Sequence, residues 1–313
     1  MQSNLSNRVE EKLPMSQFPF KLGIHPINWV GEDVKEHGDD TTFEQIVDDI
    51  QALGLTGTEM GRKYPADPAI LKEELAKRGI SLSSQWKTVL FSDPAYKESE
   101  LADYREHAKF LQSMGSKVIS TCEGGGSLHF DARRTPNETE VLRLDEAGWR
   151  SLADGLNAAG AIAQEYGLKL TYHHHGGTVI ESPEEIDRLM ELTDPSLVYL
   201  LFDTGHAYYG GADPLEVLRK HYDRIAYVHL KDIRPKVLDR SRAEQADFVT
   251  CIRNGVFTVP GDGCIDFEPI IKELVTRGYD GWAMLEGEQD PAAHPAYEYA
   301  KQSLLYLNSL KTT

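Results

Sequence analysis

Cysteine is scarce: Cys122, Cys251 and Cys264 are the only three in 313 residues. They are too few and too scattered for a disulfide framework, and no CxxC pair suggests a zinc knuckle, so a reducing cytoplasm is the expected home. No run of roughly 18 apolar residues is present that could span a bilayer. Positive charge is also short, with 33 Lys and Arg against 50 Asp and Glu and a net charge of −17. Such a surface repels phosphates, so neither nucleic acid nor an anionic membrane is an expected partner, and small neutral or cationic molecules are favoured. No GxGxxG or GxxxxGK[ST] loop follows a predicted strand, which argues against a nucleotide-binding open sheet. The first seventeen residues, MQSNLSNRVEEKLPMSQ, have no hydrophobic signal-peptide core and read as a polar flexible tail ahead of one domain over 18–313.

What is present is regular alternation. Short β-branched or aliphatic runs predict strands at Leu22–His25, Thr56–Met60, Ile80–Gln85, Val118–Thr121, Leu168–His173, Val198–Asp203, Ile225–Leu230 and Gly281–Glu286. Amphipathic stretches such as FEQIVDDIQALG, SPEEIDRLMELT and FEPIIKELVTRG predict helices between them. Most of these helices run into a glycine (Gly54, Gly79, Gly115, Gly167, Gly278), as a left-handed C-terminal cap requires. Ser182-Pro183 and Asp213-Pro214 supply an N-cap with Pro in the first turn. Serial strand-then-helix units imply a parallel sheet, and eight of them can close. Setting aside the tail and an irregular stretch, Ile233–Pro260, leaves a length near the ~250 residues of such a barrel. The expected fold is therefore α/β, a single (β/α)8 TIM barrel with an insertion after the seventh strand.

In a TIM barrel, side chains at the C-terminal strand ends converge on one pocket. Here those ends carry His25 and Asn28-Trp29, Glu59, Gln85-Trp86, Glu123, His173-His174-His175, Asp203 with His206, His229 with Lys231, and Glu286 with Glu288. The last four strands each end in His, Asp or Glu, and one residue from each can surround a divalent ion with nitrogen and oxygen ligands. That donor chemistry suits Mn²⁺, Co²⁺, Fe²⁺ or Zn²⁺ better than Ca²⁺. Strand alternation puts His173 and His175 on one side, with His173 the favoured ligand. Other readings stand beside these. Glu59 and Glu123 fit strand-end salt bridges as well as a site role, and Trp29 and Trp86 fit packing as well as an aromatic wall for a polyol.

With these residues in view, the chain resembles the xylose isomerase-like barrel superfamily and, within it, the inosose dehydratase family. FDTGHAYYGG, YVHLKD, VPGDGCIDF and MLEGEQDP carry the wider resemblance; LGIHPINW, GTEMGRKYP and YHHHGGTVIES carry the narrower one. The resemblance implies metal ligands at His173, Asp203, His229 and Glu286, the first a His where the superfamily usually has Glu. It further implies dehydration of 2-keto-myo-inositol to a trihydroxycyclohexane-1,2-dione, Mn²⁺ or Co²⁺ as metal, glutathione as cofactor and a homo-oligomer. Losing water from a keto-polyol needs a base beside the ketone, for which His206 is the candidate, and an acid for the departing hydroxyl, left open among Lys231, Glu59 and Glu288. His25, Asn28, Trp29, Gln85, Trp86, Glu123 and His175 are the candidate substrate contacts. A sugar or keto-inositol isomerase/epimerase on the same barrel is the nearest alternative, and a noncatalytic polyol-binding protein a further one. An abasic-site endonuclease, which shares the fold, is disfavoured by the net charge of −17.

Overall fold

The computed structural model describes residues 18–135, 138 and 140–311; the tail expected at 1–17 lies outside the described residues. Among the described residues ten strands are present: β1 (Lys21–Ile24), β2 (Gly57–Thr58), β3 (Ser81–Leu82), β4 (Trp86–Val89), β5 (Val118–Glu123), β6 (Lys169–His173), β7 (Val198–Asp203), β8 (Ile225–Ile233), β9 (Phe257–Thr258) and β10 (Trp282–Glu286). All neighbours are parallel in the order β3-β2-β1-β10-β8-β7-β6-β5-β4, except β9, which lies antiparallel on the end of β8.

The two ends of that path are pieces of one extended segment, which closes the sheet. Between them, Ser83 N–H donates to the Thr58 carbonyl at 2.8 Å and Met60 N–H to the Ser84 carbonyl at 3.1 Å. On the other side the Ser84 hydroxyl accepts from Ser120 N–H at 3.0 Å and donates to the Val118 carbonyl at 3.3 Å. The third predicted strand, Ile80–Gln85, is thus corrected: it runs on to Val89, interrupted where serine hydroxyls stand in for ladder bonds. Counting β3 and β4 as one, eight strands ring the barrel, as the pattern predicted.

Period-two alternation sorts each strand into an outer and an inner face. Outward side chains such as Leu200, Phe202, Val228, Leu230, Ala283 and Leu285 are buried in the main core under the helices. Inward, Val118, Leu201, Tyr227 and Met284 form a separate apolar floor. Two residues further along, the same inner faces become polar: Asp203 above Leu201, His229 above Tyr227, and Glu286 above Met284. Gly23 makes room for this floor, since a Cβ there would lie 2.6 Å from Met284 Sδ and 2.8 Å from the Gly57 carbonyl oxygen.

The helix punctuation is as predicted. Gly54, Gly79, Gly115, Gly167 and Gly278 all have positive φ, and Ser182 forms a full capping box with Glu185 at the start of the helix Pro183–Leu192. The stretch Ile233–Pro260 is not irregular as expected. It holds helices Pro235–Ala243 and Phe248–Arg253 and the strand β9. Pro235 opens the first, and Asp247 caps the second through Thr250 N–H; both are local signals that the polar composition masked. Cys122, Cys251 and Cys264 are free thiols, and among the described residues no helix is long and apolar enough to cross a membrane.

Candidate metal centre and active site

Four strand ends each aim one lone pair at a common point. Asp203 is the N-cap of the short helix Thr204–Tyr209: its Oδ1 accepts from His206 N–H at 2.8 Å, which leaves Oδ2 free to turn inward. On β8, His229 Nε2 lies 2.6 Å from Glu59 Oε1, so a ring proton is held there and Nδ1 is turned toward Asp203 and Glu286. On β10, Glu286 Oε1 meets the Lys231 ammonium at 2.8 Å, leaving Oε2. On β6, His173 Nδ1 faces the His174 carbonyl at 2.7 Å, which puts the proton on Nδ1 and the lone pair on Nε2.

These spare atoms converge. Asp203 Oδ2 is 3.7 Å from His173 Nε2 and 3.5 Å from His229 Nδ1, and the latter is 2.6 Å from Glu286 Oε2. Asp203 Oδ2, His229 Nδ1 and Glu286 Oε2 are buried and have no hydrogen-bond partner. Unsatisfied buried carboxylate and imidazole atoms side by side are costly unless a cation neutralises them. Two imidazoles and two carboxylates fit a divalent transition metal, whose charge the carboxylates balance. Asp203, His229 and Glu286 form one group of possible metal ligands; His173, Asp203 and His206 form an overlapping one. Behind His229, Glu59 also accepts from Tyr227 OH at 2.9 Å, itself 2.7 Å from Ser83 Oγ. This is the carboxylate–imidazole arrangement that fixes ring orientation and raises ligand basicity.

Beside this cluster lies a line of proton-bearing groups. The Lys231 ammonium, fully buried, contacts Glu288 Oε2 at 2.6 Å and His206 Nε2 at 3.0 Å. Burial disfavours the lysine charge, but Glu286, Glu288 and Asp203 hold its pKa above the ordinary value. Burial likewise opposes charge on His229, yet Glu286 and Glu59 keep its pKa well above the usual imidazole range. Burial pushes Glu288 up to about 8 and drives His206 well below its ordinary value, with His175 and Lys231 adding to the effect. His206 Nδ1 also faces Gly176 N–H at 3.1 Å. Both contacts call for a ring lone pair, and a neutral imidazole has only one. The charged donor is the stronger, so Nε2 is engaged by Lys231.

The remaining predicted residues divide. Trp86 packs against His173 and, edge to face, His175, each with ring centroids at 5.3 Å, and forms one wall. His175 faces inward, its ring 3.8 Å from that of His206, whereas His174 turns away and accepts from Asp203 N–H. His25 is near the floor of the site, its Nε2 3.8 Å from Glu59 Oε2. Gln85 is half-buried, with its carbonyl 3.4 Å from His107 Nε2. Three others are engaged elsewhere. Asn28 ties β1 to β10 through the carbonyls of His25 and Leu285. Trp29 is buried with its indole N–H on Asp49 at 2.9 Å. Glu123 takes the N–H groups of Phe91, Ser92 and Gly125 and the Ser92 hydroxyl, so both its oxygens pin loops.

Several wall residues were not visible in the sequence. Phe248 and Phe257, from the segment after β8, lie against His206 at 5.8 and 5.1 Å, and Phe130 lies against Trp86 at 5.2 Å. Asp33, whose pKa burial pushes up to about 6, neighbours Glu288 from the loop after β1. Only the period-two position of Tyr227 below His229 was a usable signal; the phenylalanines are contacts between segments distant in sequence.

A barrel of parallel strands with His, Asp and Glu at the last four strand ends defines a class, and the family model for the xylose isomerase-like TIM barrel matches residues 47–310. Among solved structures the chain superposes on a probable 3-DHS dehydratase, AsbF, from Bacillus anthracis with TM-score 0.67 at 15% identity, covering 93% of this chain and 100% of that one. The IOLI protein with a bound zinc atom gives TM-score 0.68 at 16% identity over 93% and 98% of the two chains. At these identities the likeness is one of fold. Sequence relatives are nearer. The inosose dehydratase of Geobacillus kaustophilus is 53% identical over 93% of this chain and 95% of its own, and that of Clostridium perfringens 46% identical over 92% and 96%. The chain belongs to the inosose dehydratase family of xylose isomerase-like TIM barrels.

Proposed function

We infer that this protein is a hydro-lyase that removes water from 2-keto-myo-inositol to form a trihydroxycyclohexane-1,2-dione. The observation that carries this reading is the convergence of three unpartnered buried atoms, Asp203 Oδ2, His229 Nδ1 and Glu286 Oε2, next to the Lys231–His206–Glu288 line, in a chain 53% identical to a named inosose dehydratase. His173, Asp203, His229 and Glu286 would hold a divalent ion, which when bound would supply Lewis-acid stabilisation for a ketone oxygen gaining negative charge.

The protons move on the chain's own groups. His206 Nε2, whose lone pair otherwise accepts from the Lys231 ammonium, takes the proton from the carbon beside the ketone as that ammonium turns to Glu288. Glu288, on the other side of Lys231, gives one to the departing hydroxyl. Glu59 leaves the list of acids under this reading, because its Oε1 is occupied by His229 and Tyr227; it orients His229 instead. Trp86 offers an apolar face to the ring carbons of the substrate. His25, Gln85 and His175 remain substrate contacts, whereas Asn28, Trp29 and Glu123 support the surrounding loops.

The reading extends to a single domain over 18–313, Mn²⁺ or Co²⁺ as the resident metal, and a cytoplasmic homo-oligomer. Glutathione dependence is supported by the family resemblance alone. Mass spectrometry of the protein with 2-keto-myo-inositol and Mn²⁺, beside chelated and Asp203→Asn samples, tests the core of it. A product lighter by one water, absent from both controls, is expected. A product of unchanged mass would make the protein an isomerase or epimerase, and no product would make it a binding protein or an enzyme of another polyol.

A further inference from the structure

The segment between β8 and the helix Phe267–Thr276 is the part of the chain that the proposed chemistry has not used. It is fixed rather than loose. The Arg234 guanidinium binds the carbonyls of Gly255 and Phe257 at 3.0 and 2.9 Å, Asp262 at 2.8 Å and, in the loop after β10, Gln289 Oε1 at 2.6 Å. Phe257 is held in β9, paired with Ile233, and Phe248 begins a helix capped by Asp247. Both rings are buried. On the opposite side, Gly176 and Gly177 approach Phe248 so closely that a Cβ on either would lie 2.6 or 2.8 Å from its side chain. His206 sits between these parts: Phe248 and Phe257 on one side at 5.8 and 5.1 Å, and the His175 ring at 3.8 Å.

We propose that Phe248 and Phe257 are positioning residues, which clamp the His206 imidazole at the height where its Nε2 meets the Lys231 ammonium. The clamp acts through His206 and needs no contact with substrate. Lys231 is itself held from above, its ammonium 4.8 Å from the centre of the Phe257 ring, so one aromatic side chain sets both members of the proton-handling pair. An imidazole without this clamp would swing toward the space left by the missing ring, and a displacement of about 1 Å in a proton-transfer group costs on the order of 100-fold in rate.

The inference rests on the role given to His206 above, so its test includes a readout that needs no turnover. Phe248→Ala, Phe248→Leu and Phe257→Leu are prepared as metal-loaded full-length proteins, with thermal unfolding and metal content checked. In substrate-free wild type loaded with diamagnetic Zn²⁺, the His206 ring protons should carry ring-current shifts from the two phenylalanines. Phe248→Ala should move those resonances and lower kcat for 2-keto-myo-inositol about 100-fold while KM moves by less than about threefold, with Phe248→Leu intermediate. Unchanged His206 resonances, or a raised KM at unchanged kcat, would overturn the clamp. If wild type does not dehydrate the substrate, the proposed function fails while the resonances still decide the clamp. If Phe248→Ala does not fold, the two leucine variants carry the same readouts.

Discussion

Glu59→Gln separates two roles for one carboxylate. Glu59 is buried beneath His229, with Oε1 taking the imidazole Nε2–H at 2.6 Å and Tyr227 OH at 2.9 Å. A glutamine oxygen in that place can accept both, but it is uncharged, so the His229 Nδ1 lone pair becomes less basic. Its amide NH₂ then faces His25 Nε2, which lies 3.8 Å from Oε2. That nitrogen carries the His25 proton, because His25 Nδ1 accepts from Ile27 N–H at 3.0 Å. Two donors meet, which costs about 1 kcal/mol of stability. Loss of such a carboxylate behind a ligand weakens metal binding about 10- to 100-fold, equivalent to about 1.4 to 2.7 kcal/mol. Competition for Mn²⁺ against a chromophoric chelator measures this directly, and at saturating Mn²⁺ most of the activity should return. Unchanged affinity together with a kcat that stays low at saturating metal would refute the reasoning and return Glu59 to the role of catalytic acid.

Asp203→Asn should abolish metal binding and turnover yet leave a chelated protein that still unfolds cooperatively in urea, because the amide oxygen can keep the helix cap at His206 N–H; urea unfolding with chelator checks the second half. His107 is neutral in the fold, its pKa pushed by burial to about 4 from 6.5. The stability this contributes is present above pH 6.5 and is lost as pH falls toward 4, since the unfolded chain binds the proton first. His107→Asn should therefore flatten the dependence of unfolding free energy on pH near 5 by about 1.4 kcal/mol per unit; parallel curves would show that the ring is solvated. Gly23→Ala should destabilise by about 1 to 3 kcal/mol in urea titrations, because its Cβ meets Met284 Sδ and the Gly57 carbonyl. Deleting Ala243–Asn254 removes Phe248 and should end turnover without altering mass in solution; a change of mass would make the segment an oligomer contact.

Closure of the barrel and the row of His, Asp and Glu at the later strand ends were legible along the chain because both follow from local periodicity. YVHLKD alternates an outward Val228 and Leu230 with an inward Tyr227, His229 and Lys231, and the pattern repeats at Leu201 to Asp203 and Met284 to Glu286. Glycines with positive φ end the helices at the places where the amphipathic pattern stops. Alternation says which residues share a face, but not which atom of a side chain is spent and which is spare. Only the tertiary structure decided that Asp203 caps a helix with one oxygen and offers the other, or that Glu59 is consumed by His229 and Tyr227. The same holds for Glu123, an equally acidic strand end whose oxygens are taken by backbone N–H groups of neighbouring loops, and for Phe248 and Phe257, which reach His206 from a segment about 40 to 50 residues away. Composition and spacing determine what a strand end contains. Hydrogen-bond partners contributed by distant segments determine what it has left to use.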